Sequence, residues 1–101
     1  MDNNFSESQI AGYKKQLHDR IHWLLIYKDN GDSKELDKYF NELLRQIKSL
    51  NAVFNYQPVI IQLLVTIESA YEEFKKPNCD FKIYRKLVLD AHALVDKIKE
   101  V

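Results

Sequence analysis

Asn55-Tyr56-Gln57-Pro58-Val59-Ile60-Ile61-Gln62-Leu63-Leu64 decides the fold of this chain, because a polar turn with one proline opens directly into its most apolar helix-period run. Proline has no N–H to leave unpaired in a first helical turn, and its fixed φ suits that turn, so a helix begins at Pro58. Upstream, the periodic segment Leu36 to Leu50 ends in Asn51-Ala52-Val53-Phe54. Two long helices are thus joined by a link of about half a dozen residues, the spacing of a helical hairpin.

Working outward, Ile10, Tyr13, Leu17, Ile21, Leu24 and Leu25 recur at helical spacing and predict a first helix. Ser6 with Gln9 forms a capping box at its start, and Lys28-Asp29-Asn30-Gly31 stops it. Asp32 with Glu35 opens the second helix, whose stripe is Leu36, Tyr39, Phe40, Leu43, Leu44, Ile47 and Leu50. The third runs from Pro58 to Lys76, and Val59, Ile61 and Val65 widen its apolar arc so far that its first half should be the most buried segment. Pro77 ends it, and Asn78 or Asp80 caps a fourth helix that carries Phe81, Tyr84, Leu87, Val88, Ala91, Leu94, Val95 and Ile98 to the chain end. The expected architecture is all-α: an antiparallel up-down four-helix bundle, one domain over residues 1–101.

Composition agrees. Of the 101 residues 46% are hydrophobic and 30% charged, with two glycines and two prolines, which suits a packed helical protein better than a disordered or turn-rich one. Fifteen basic and fifteen acidic residues cancel, so the basic surplus that duplex nucleic acid demands is missing. The longest apolar run, Trp23 to Tyr27, falls far short of the ~20 residues that span a bilayer. The first residues lack the basic and apolar regions of a secretory signal, so a cytoplasmic protein is expected. Cys79 is the only cysteine, which rules out an intrachain disulfide.

Chemistry-bearing groups are sparse. His18 and His22 stand four apart, a spacing that grips a transition metal when further ligands converge, but Asp19 points off that face and His92 belongs to another helix. His92 within Asp90-Ala91-His92-Ala93-Leu94 has the context of a phosphoryl acceptor, yet no anion-cradling loop accompanies it. Cys79 has no histidine near it in sequence, and no Gly-x-Ser-x-Gly or phosphate loop exists. Glu68, Glu72 and Glu73 read as a solvated helix face. No enzyme, cofactor or metal is expected. Trp23, Tyr27, Phe54 and Tyr56 exceed what one stripe needs: they either line a groove or close one end of the core, the second being the expectation.

The cations Lys75, Lys76, Lys82, Arg85 and Lys86 bracket the turn between helices three and four. Some answer the dipole of a helix C-terminus. Together they concentrate charge at one end of the bundle, a surface suited to an acidic patch on a membrane-protein loop or to anionic headgroups, where each basic group is worth about 1 kcal/mol.

The close of helix two on Ser49-Leu50-Asn51, the short link, the Asn-Tyr-Gln-Pro opening and the Ile/Leu-rich third helix followed by an amphipathic fourth resemble the enterocin A immunity family, the small immunity proteins of pediocin-like bacteriocins. The resemblance is most motif-like over residues 49 to 64. It implies a four-helix bundle that acts from the cytosol, as a monomer and without chemistry, by recognising the bacteriocin-bound mannose phosphotransferase permease. It further implies that the half from residue 58 onward sets which toxin is countered, with Lys75 to Arg85 as contact surface; the charge of that tip independently suggests a transient peripheral contact with the inner membrane face. Relatives often carry a further C-terminal tail beyond the point where this chain ends, at Val101. The competing expectation is a helical adaptor module of a regulatory complex, whose mark is a contiguous apolar surface patch.

Overall fold

The computed structural model describes residues 7–29 and 33–99. Four helices, α1 (Glu7–Asp29), α2 (Ser33–Leu50), α3 (Pro58–Lys75) and α4 (Phe81–Val95), form an antiparallel up-down bundle. Each packs against two neighbours: α1 against α2 and α4, and α3 against α2 and α4, the α3–α4 seam being the most extensive. Ser6, Gly31 and Asp32, expected as caps and stop of the first two helices, lie outside the described residues.

The predicted stripes meet in one core. Leu17, Ile21, Leu24, Phe40, Leu43, Ile60, Leu63 and Ile67 are fully buried, because each sits at the three- and four-residue spacing that keeps one face inward. Tyr84 is buried as deeply, and its hydroxyl donates to the Leu24 carbonyl at 2.8 Å, which satisfies the one polar atom it carries inside. Around Phe40 gather the rings of Tyr71, Phe74 and Tyr84, closing the end of the core at the α3–α4 turn.

Helix boundaries follow local chemistry. Pro58 occupies the first turn of α3, as expected. Lys76 is extended (φ −69°, ψ 140°), as the residue before a proline prefers, so α3 stops at Lys75, one residue before the predicted end. Asp80, one of the two expected caps, begins α4: its Oδ1 accepts from the amides of Lys82 (2.9 Å) and Ile83 (3.4 Å).

Other expectations fail. Helix α4 does not run to the chain end: after Val95 the amides of Asp96, Lys97 and Ile98 bond three residues back, tightening the last turn. The chain then folds against the bundle because other partners take over. Lys14 Nζ donates to the Ile98 carbonyl (2.9 Å), and the Gln57 amide and the Lys99 backbone exchange two bonds of 2.8 Å. Ile98 is buried, but beyond the helix.

The first half of α3 is not the most buried segment. Ile61 and Val65 are more than half exposed, because a helix in a four-membered ring touches two neighbours and keeps an outer face whatever residues fill it.

The surplus aromatics do not act together. Phe54 is buried and meets Tyr13 edge-on at 6.5 Å, closing the core at the α2–α3 link. Tyr56 is 69% exposed, and Trp23 lines an open groove with Arg20 and Tyr39 instead of an end of the core. The side chain of Tyr27 lies outside the described set.

Candidate partner-binding surface

The turn between α3 and α4 is built on a carboxylate. Glu73, expected on a solvated face, is covered: its Oε2 accepts from the Asp80 amide at 2.9 Å and its Oε1 from Lys76 Nζ at 3.0 Å. The sequence reading erred because helical spacing places Glu73 on the α4 side of α3, under the returning chain. Glu68 and Glu72 do lie exposed. The Asp80 amide and the Lys76 ammonium hold the Glu73 carboxyl below the ordinary carboxylate range. Asp80 then caps α4, so two linked carboxylates fix the angle at which the turn leaves one helix and enters the next.

On this scaffold Lys75, Lys76, Lys82, Arg85 and Lys86 are all exposed. Three are steadied by neighbours. Lys75 Nζ lies 4.3 Å over the Tyr71 ring, Lys76 pairs with Glu73, and Lys86 Nζ pairs with Asp90 Oδ2 at 3.0 Å. Tyr71 is itself fixed, since its hydroxyl donates to Asp37 Oδ1 at 2.6 Å, a bond that raises the phenol above its ordinary value. Lys82 and Arg85 line a shallow groove with Leu89, and Phe81, Ile83 and Leu89 are each two-fifths exposed or more. The five cations fall into two groups: Lys75 and Lys76 close α3, while Lys82, Arg85 and Lys86 run along the outer face of α4.

The surface also contains cations that sequence reasoning missed. Lys34 and Lys38 at the start of α2 line a groove with Phe74 and Lys75, and Lys28 near the end of α1 holds its ammonium 5.5 Å over the Phe74 ring. The signal was present in the topology. In an up-down bundle the α1–α2 connection shares an end with the α3–α4 turn, so their charges add.

The histidines divide. His22 is exposed, whereas His18 and His92 approach across the α1–α4 seam, ring centroids 4.3 Å apart. His18 Nε2 stands 3.0 Å from Asp96 Oδ1 without the geometry of a directed hydrogen bond. No group of three or more His, Cys, Asp or Glu among the described residues is placed to hold a metal. Cys79 is partly buried against the core.

No described helix is long and apolar enough to cross a membrane. Compared with family models, curated proteins and solved structures, the chain finds no match in any of the three.

Proposed function

We propose that this protein is a bacteriocin immunity protein of the enterocin A immunity type, which protects its cell from a pediocin-like bacteriocin by recognising the toxin-bound mannose phosphotransferase permease from the cytosolic side, without catalysis. The observation that carries it is the cationic end of the bundle. Lys75 closes α3 and Lys82 and Arg85 follow the start of α4, on either side of a turn braced by Glu73 and Asp80; Lys34 and Lys38 share a groove with Lys75, Lys28 lies over Phe74 in the same groove, and Phe81, Ile83 and Leu89 are exposed along α4. Such a mixture of rigidly mounted cations and apolar groups is complementary to an acidic, partly apolar loop at a membrane face. The resemblance over residues 49 to 64 supplies the partner. Expression in a sensitive strain tests it: tolerance to at least one pediocin-like peptide rises, and unchanged killing across a full panel of such peptides contradicts it.

A second reading, a helical adaptor for another soluble protein, draws on the opposite end. Pro58, Ile61 and Val65 line a mostly apolar groove with Gln62 and Thr66 along the start of α3, with exposed Tyr56 just before it. That reading requires self-association or partner capture that Ile61→Lys abolishes, with toxin tolerance unaltered.

A further inference from the structure

His18 and His92 face each other across the α1–α4 seam at 4.3 Å with their planes 33° apart. Two neutral imidazoles stack comfortably at that distance, but a charge on the partly buried His92 ring is poorly solvated and meets like charge from the neighbouring imidazoles with little screening by water. The groups whose charges act on His92 are His18, His22 and Asp19 from α1 and Asp96 from the turn that ends α4; α3, the other neighbour of α4, contributes none. Three imidazoles thus face two carboxylates. Asp96 is largely exposed and stands 3.0 Å from His18, so it offsets only part of what burial and the neighbouring imidazoles do to a charge on His92.

Directly beyond this pair, α4 ends and the chain folds back. Residues 96–99 are held by short turns, by Lys14 on the Ile98 carbonyl and by Gln57 on Lys99. That segment leaves directly from the end of α4 that His92 shares with buried Ala91 and Val95, so a disturbance of α4 at His92 reaches it first.

We propose that the His18–His92 stack is a proton-operated latch: with His92 unprotonated, it helps hold the C-terminal end of α4 against α1, and a proton taken up by His92 weakens that seat and frees residues 96–99. Burial and the charge of His18 push His92 below the ordinary histidine value of 6.5. With the folded value depressed, the unfolded chain takes the proton first. The stability due to His92 is therefore complete above 6.5 and is lost as pH falls through that value toward the folded one. A histidine that merely gained a carboxylate partner would behave in the opposite sense.

The test is backbone amide exchange of the full chain at about pH 7.5 and about pH 5.5, corrected for intrinsic rates, with His92→Phe as the variant that keeps a ring and loses the proton. In the wild type, amides from His92 to Lys99 lose protection several-fold at the lower pH relative to α2 and α3. In His92→Phe the difference disappears, and Asp96→Asn, which removes the offsetting carboxylate, enlarges it. Equal losses in wild type and His92→Phe, or a wild-type loss spread evenly over all four helices, overturn the latch. Should His92→Phe fail to fold, His18→Phe poses the same question from α1 and is judged by the same outcomes.

Discussion

Glu73 Oε2 accepts the backbone N–H of Asp80 at 2.9 Å, and through this bond the end of α3 sets the start of α4. Asp80 passes the constraint on by capping Lys82 and Ile83. The positions of Lys75, Lys76 and Lys82 relative to one another are therefore fixed by two carboxylates and a proline, not by their own long side chains. A surface mounted in this way gives up less side-chain and loop entropy on binding than a free loop would.

Glu73→Gln lowers the thermal midpoint at neutral pH, because a neutral amide accepts more weakly than a carboxylate from the Asp80 amide and the Lys76 ammonium. The acid dependence changes as well. Since the folded carboxyl sits below its ordinary value of 4.5, its contribution is complete above 4.5 and is lost as pH falls through the folded value. Thermal unfolding across that range shows a component in the wild type that Glu73→Gln lacks.

Tyr84→Phe removes a buried hydroxyl from the Leu24 carbonyl while leaving the ring in place. The expected loss is about 1 to 2 kcal/mol, read as a shift of the urea midpoint with an unchanged slope.

Tyr56 holds φ 54°, in the left-handed region, with its side chain 69% exposed. Asn tolerates this conformation better than an aromatic residue, so Tyr56→Asn stabilises the protein by roughly 0.5 to 1 kcal/mol. A loss of stability would mean that the exposed ring packs on something.

Two neighbouring positions on α3 separate core from surface. Leu63→Ala, at a fully buried site, costs about 2 to 5 kcal/mol, whereas Ile61→Thr, on the outer arc, changes stability by no more than about 0.5 kcal/mol. Denaturant titration of the pair checks the burial of α3 directly.

The fold was legible because its determinants are local. Pro58, the Leu36–Leu50 stripe and the break at Pro77 place helices without knowledge of what they pack against. Failures arose where a long-range partner decided the outcome. The departure of residues 96–99 from α4 depends on Lys14 and Gln57, more than forty positions away. Glu73 looks solvated until the turn covers it. Ile61 and Val65 look buried until the ring of four helices leaves them an outer face. Of the cationic end of the bundle, the Lys75–Lys86 cluster was readable as a charge run, but its extension to Lys28, Lys34 and Lys38 needed the topology to be applied to charge as well as to the core.

The most direct test of the proposed recognition surface is toxin tolerance of sensitive cells expressing the triple variant Lys75→Glu, Lys82→Glu, Arg85→Glu, with Lys76 left in place to keep Glu73 paired. The variant should match the wild type in helix content and thermal unfolding while its protection falls to the level of cells without the protein. Full protection by a folded variant would contradict the assignment of this end of the bundle as the surface that meets the permease.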